Sequence, residues 1–274
     1  MTGSGDRPGV GDTRSHYSES PCASALTPWL WNYWEFRVEA DAAETLTHHI
    51  PPDGCTSIAV IFESGTVRDI VASGPWLDPF SVPATSRNYY LGVRCRPEAG
   101  GLLLGTSPDH LRNKAQPVWT LVPKLAADLA AALVSAPALD QAAMELDRVL
   151  ATHLRGTSPP DPVCRNAVDL LVTSRGELAI GRLAGETGVS SRTLLRRFRA
   201  ATGLTPKQFA RICRFRNAAM TLVHNDRPDW AQVASGTGFA DQAHMINEFK
   251  DLTGLTPEGL GERIRRTSHG DLIA

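Results

Sequence analysis

The sequence predicts an α+β protein of more than one domain: a mainly antiparallel β region closed by two helices, then an all-α region of two helix-turn-helix units joined by a long helix. Three observations lead there. At 274 residues the chain is long for a single hydrophobic core. Between Thr27 and Val118 it is written in short apolar or aromatic runs broken by Gly and Pro, whereas beyond Arg155 it reads as helices with Gly or Pro at the breaks. Finally, "TGVSSRTLLRRFRAATGLTP", Thr187 to Pro206, is echoed about 50 positions later by "TGFADQAHMINEFKDLTGLTP", Thr237 to Pro257.

Taken in order, residues 1–24 are rich in Gly, Ser, Pro and Asp and read as disordered. Residues 25–155 form the expected sensor or dimerisation domain. "TSIAVIFES", "RDIVAS", "NYYLGVRCR" and "GGLLLG" supply its strand-like runs. Trp29, Trp31 and Trp34 fall in one short stretch, suited mainly to core packing, with a pocket or an interface as the alternative. From Pro123 to Arg155 two amphipathic helices follow, one on Leu125, Leu129 and Leu133, the next on Leu139, Leu146, Val149, Leu150 and Leu154. Such stripes cover a sheet or form a dimer interface, and covering the sheet is the expectation. "RGTSPPDP" then marks a linker over 156–162, and 163–266 is helical, leaving a tail at 267–274.

Composition narrows the function. No run approaches the length of a membrane span, and the N-terminus lacks the apolar core of a signal peptide, so a cytoplasmic protein is expected. Five scattered cysteines without a CxxC pair indicate reduced thiols and neither a disulfide framework nor a zinc knuckle. His48, His49, Asp53 and Cys55 lie close together. Neighbours on a strand point to opposite faces, however, so His48 and His49 do not ligate one metal together. A nucleophilic Cys55 lacks an orienting or oxyanion motif. The simpler reading is a Pro-Pro-Asp-Gly turn into a strand from Thr56 to Phe62, with Cys55 in the core. No cofactor, no metal and no catalytic residue is expected. The net charge of -1 hides an asymmetry, because Thr187 to Arg216 holds eight basic residues and no acidic one.

The repeated phrases explain where that charge goes. A helix-turn-helix needs a short helix, a turn whose Gly takes positive φ, and a capped second helix. Leu183, Ala184, Gly188, Val189 and a cap at Ser190 or Ser191 fill those places in the first copy; Val233, Ala234, Gly238, Phe239 and Asp241 fill them in the second. At 100° per residue, Leu194 and Phe198 face inward while Arg192, Arg196 and Arg199 form one stripe opposite, with Leu195 at its edge. Arginine forks to guanine O6 and N7 or to phosphate, and Leu195 is placed to touch a thymine methyl. In the second copy Met245 and Phe249 face inward, and Ala243, Asn247 and Lys250 point outward. The long helix from Pro206 to His224 would set the two second helices roughly one DNA turn apart, about 34 Å.

Residues 163 to about 266, through "LAGETGVSSRTLLRRFRAATGLTPKQFARICRFRNAAMTLV" and "VASGTGFADQAHMINEFKDLTGLTP", resemble the DNA-binding domain of AraC/XylS-family transcriptional regulators. The N-terminal part faintly resembles uncharacterised domains fused to AraC-like regulators. The first resemblance implies base-reading positions at Arg192, Leu195 and Arg196, and at Gln242, Ala243 and Asn247. Ser190, Ser191, Arg199, Lys207 and Lys250 are assigned to phosphate. The family often has Arg where this chain has Asn247. The implied partners are double-stranded DNA and RNA polymerase, with room for a small-molecule effector and a homodimer, and the sign of regulation is open. The competing reading is a repair-type enzyme tethered to DNA by the same helices.

Overall fold

The computed structural model describes residues 14–39, 45–134, 138–225 and 228–267. In its N-terminal half, β-branched and aromatic residues alternate with polar ones, so each strand has one face to bury. The strands are β1 (Arg14–Pro21), β2 (Leu30–Glu39), β3 (Leu46–Ile50), β4 (Ser57–Glu63), β5 (Thr66–Ser73), β6 (Phe80–Ala84), β7 (Asn88–Cys95) and β8 (Ala115–Pro117). Six form an antiparallel sheet in the order β1-β2-β7-β4-β5-β8, and β3 pairs with β6 in a separate ribbon. Strand β7 carries a glycine in its interior because Trp34 on β2 lies across it. A Cβ on Gly92 would sit 1.8 Å from the indole.

Short helices α1 (Gly100–Leu104), α2 (Pro108–Leu111) and α3 (Val118–Leu121) lead to α4 (Pro123–Ala132) and α5 (Leu139–His153). Leu125, Leu129, Leu146 and Leu150 from α4 and α5 share a core with Ile58, Val60, Ile70, Leu91 and Val93, so these helices cover the sheet as expected. Two expectations need correction. Residues 14–24 are not disordered: β1 pairs with β2 along its length and buries Tyr17, and a 3-10 turn at Ser24–Leu26 buries Leu26. A polar edge strand has the composition of a disordered segment, and only its partner reveals it. "GGLLLG" is helix α1 and not a strand, with Leu103 and Leu104 both buried, a pattern alternation forbids. The three tryptophans are each half-buried, and they divide between environments: Trp29 packs on the sheet core, Trp34 on Tyr17 and Phe36, and Trp31 on the first helical core.

The helical half comprises α6 (Pro162–Thr173), α7 (Ile180–Glu186), α8 (Ser191–Thr202), α9 (Pro206–His224), α10 (Trp230–Gly236), α11 (Gln242–Thr253) and α12 (Pro257–Thr267). Helix α6 starts one residue earlier than expected, because Asp161 caps it and Pro162 takes its first turn. Two cores result. Ala167, Val168, Leu171, Leu183, Leu194 and Phe198 form one with Phe209 and Ile212, the first half of α9. Met245, Phe249, Leu252 and Leu260 form the other with Phe215, Ala219 and Leu222 from its second half.

Candidate nucleic-acid interface

The repeat becomes physical at its Thr and Gly positions. Thr187 Oγ1 donates to the Leu183 carbonyl at 2.9 Å and Thr237 Oγ1 to that of Val233 at 2.6 Å, closing the first helix of each unit. Gly188 and Gly238 follow with φ of 70° and 76°. Ser190 Oγ accepts the Thr193 N–H at 3.2 Å and Asp241 Oδ1 that of His244 at 2.7 Å, starting α8 and α11. Between these caps the second unit carries one extra residue, which moves its inward Phe from ten to eleven places after the Gly. Leu194 and Phe198, like Met245 and Phe249, are fully buried.

The eight basic residues of the arginine-rich block do different work. Arg197 Nε and Nη2 fork to Asp161 at 2.6 and 2.5 Å, tying α8 to the start of α6. Burial alone would raise the Asp161 carboxyl, yet the Arg197 fork and the Val163 N–H hold it below the ordinary carboxylate range. Arg211 bonds Glu248 and also Asp251, at 3.0 Å, and Arg214 donates to the Gly176 carbonyl at 2.9 Å. Arg199 Nε lies 3.5 Å from Asp109 on α2. Arg192 and Arg196 are exposed and form no ion pair among the described residues. With Leu195, 46% exposed beside them, they form an open patch opposite Leu194 and Phe198. The exposed Ser191 starts α8, and the exposed Lys207 lies in the first turn of α9.

On α11, Gln242, Ala243, Asn247 and Lys250 are exposed. Glu248 faces sideways to Arg211, with His244 Nε2 at 3.5 Å, so the acidic group close to Asn247 in sequence belongs to a brace. The exposed face carries Lys250 and, one turn beyond Asn247, the exposed Asp251 that pairs with Arg211.

The N-terminal domain packs on the first unit. Gly54 lies so close to Phe209 that a Cβ there would sit 2.6 Å from the ring. Arg96, at the end of β7, bonds Glu98 and Asp169 of α6, with its guanidinium over Trp31. Arg94 is held by Glu19 at 2.7 Å and Asp53 at 3.1 Å. Between the two halves lies a cavity of about 480 Å³, lined by Trp31, Arg94, Val172, Phe209, Arg216 and Met220. In the Pro-Pro-Asp-Gly turn, Asp53 accepts the Cys55 N–H at 2.8 Å, as the turn reading requires. Burial pushes the Cys55 thiol well up, and those of Cys95, Cys164 and Cys213 up to about 12, the reverse of what an activated nucleophile needs. His48 stacks on Phe36. Among the described residues no group of three or more His, Cys, Asp and Glu side chains is placed to hold a metal ion, and no helix is long and apolar enough to cross a membrane.

The geometry of α8 and α11 could not have been assigned partner by partner from sequence. Asp109 and Asp161 were missed as partners of this helix, because their place beside it is tertiary. A weak signal existed at Asp161, an acidic cap ahead of Pro162.

Residues 183–263 match the family model of a helix-turn-helix domain, and residues 18–117 match that of a domain of unknown function, DUF6597. No curated protein matches the chain. Among solved structures, an AraC-type transcriptional regulator from Chromobacterium violaceum is 27% identical over 39% of this chain and 95% of its own, with a TM-score of 0.35. A probable AraC family transcriptional regulator from Rhodopseudomonas palustris CGA009 is 24% identical over 38% of this chain and 97% of its own, with a TM-score of 0.34. ToxT from Vibrio cholerae O395 is 11% identical over 94% of this chain and 99% of its own, with a TM-score of 0.45.

Proposed function

We propose that this chain, a DNA-binding transcriptional regulator with an AraC-type helix-turn-helix domain, reads base sequence mainly through Arg192, Leu195 and Arg196 on α8. Helix α11 then adds weaker contacts through Gln242, Ala243 and Asn247. The observation that supports this is the sorting of the arginines. Most of the others in the block are tied to protein groups, whereas Arg192 and Arg196 present open guanidinium forks on the face opposite the core. Ser190, Ser191, Arg199, Lys207 and Lys250 contact phosphate in this reading. Residues 25–155 then act as the sensor or dimerisation domain, 156–162 as linker and 163–266 as the DNA-binding domain, with the described fold extending the first of these back to residue 14.

Control by a small-molecule effector would act through the cavity between the halves, since a ligand there touches Trp31 and Arg94 on one side and Phe209 and Met220 on the other. RNA polymerase and a second copy of the chain are the further partners of this reading. The test is selection of bound sites from random duplexes with wild-type protein and with Arg196→Ala. Relaxed preference at one base pair is expected, and an unchanged selected motif would remove Arg196 from the base-reading role.

A further inference from the structure

Helix α2 of the N-terminal domain meets α8 at its C-terminal end, in three contacts of different kinds. Asp109 Oδ2 lies 3.5 Å from Arg199 Nε. Arg112 Nη1 donates to the Gly203 carbonyl at 3.3 Å, a cation at the negative end of α8. Gly203 ends α8 at a φ of 73°, and a Cβ there would sit 2.9 Å from the Pro108 backbone. The Asp109 carboxylate itself stands between two guanidinium groups, Arg199 and Arg112, the latter at 3.4 Å from Oδ1.

We infer that Asp109 occupies Arg199 in competition with a DNA phosphate, so that the N-terminal domain withholds one backbone contact from the first recognition helix. This rests on the reading of α8 as the DNA-contacting helix. On the helical wheel Arg199 shares the outward stripe of Arg192 and Arg196, and a phosphate that engages it comes up against the Asp109 carboxylate, which already partly neutralises the guanidinium. The exchange is accessible, because the Arg199 side chain is 53% exposed and that of Asp109 is 35% exposed, so neither is locked in the interior. A carboxylate and a phosphate present the same oxygen chemistry to a guanidinium, and with Asp109 in place a phosphate must share the Arg199 charge with a second anion that repels it. A movement of α2 that carries Asp109 away therefore adds a phosphate contact without touching the base-reading residues. Arg112 and Pro108 contact the same end of α8, so that movement breaks their contacts with Gly203 as well.

The test is a salt titration of full-length protein on a selected duplex and on a nonspecific duplex of the same length. Asp109→Asn is expected to bind both duplexes about two- to fivefold more tightly, with a salt slope steeper by about 0.9, and with the selected motif unchanged. Asp109→Ser repeats the loss of charge with a smaller side chain, should Asn disturb α2. Asp140→Asn, an exposed position on α5, controls for net charge and is expected to change neither quantity. In an Arg199→Ala background the gain from Asp109→Asn must vanish. An unchanged slope in both Asp109 variants, or an equal gain with and without Arg199, overturns the inference. If that happens while Arg192→Ala plus Arg196→Ala still abolishes site preference, the DNA reading stands alone. If wild-type protein prefers no duplex, both fall.

Discussion

Arg197 in the first unit and Glu248 in the second stand at the same place, directly before the inward Phe198 and Phe249. Each is tied back to the helix that precedes its unit: Arg197 to Asp161 at the cap of α6, Glu248 to Arg211 on α9. The brace is the same and its charges are reversed. One step away, Arg196 corresponds to Asn247, and Arg192 to Ala243. The scaffold of the repeat tolerates either sign of ion pair because the pair only has to close a gap between two helices. The outward faces differ in what they can offer, since Arg192 and Arg196 carry charged forks suited to guanine or phosphate that Ala243 and Asn247 lack. Unequal faces on an equal frame are what a reader helix and a supporting helix would need.

The largest expected effect tests that division directly. Arg192→Ala plus Arg196→Ala should remove about 2 to 6 kcal/mol of discrimination, two base contacts at their usual worth, and abolish site preference in competition against nonspecific DNA at fixed salt. A motif retained by the double variant would break the comparison. Core substitutions probe the frame and not the face. Phe198→Ala and Phe249→Ala should each destabilise by about 3 to 5 kcal/mol in denaturant unfolding, nearly equally, because both rings are fully buried in cores of the same design. If one costs far less than the other, the two units are not equivalent scaffolds. Asn247→Ala should cost about 1 kcal/mol or less in binding, since one neutral amide offers a single paired contact to adenine. A specificity loss larger than that of the arginine pair would reverse the two roles.

The smallest effect concerns the brace of the first unit. The Asp161 carboxyl is held below its ordinary range in the fold, so it binds protons less readily there than in the unfolded chain. Its contribution is therefore complete above about pH 4, where Asp normally titrates, and is lost as pH falls through the lower folded value. Thermal melts of Asp161→Asn should show less loss of stability on acidification than wild type. Parallel curves would mean that the fork adds nothing measurable.

Much of the helical half was legible in advance. Local chemistry dictates it: Thr and Asp caps, Gly at positive φ, and apolar residues at i and i+4 each act within a few residues, so helix limits and the inward faces of α8 and α11 follow from the text alone. The outward positions of Arg192, Arg196, Ala243 and Asn247 follow from the same periodicity, with Leu195 at the edge of the stripe, whereas Gln242 was assigned by the family resemblance alone. The N-terminal half was legible only as a class, β with two covering helices. Its polar first strand was hidden because β1 is stabilised by β2, which lies beyond a turn, and α1 because its glycines and leucines do not distinguish strand from helix. Charge was the least legible quantity. The sequence determined that eight basic residues lie between Thr187 and Arg216 without an acidic neighbour in that block. Tertiary structure alone decided that Asp161, Asp109, Glu248 and Asp251 reach into it from elsewhere, because an ion pair depends on distance in space and the partners are separated from their arginines by 36 or more positions.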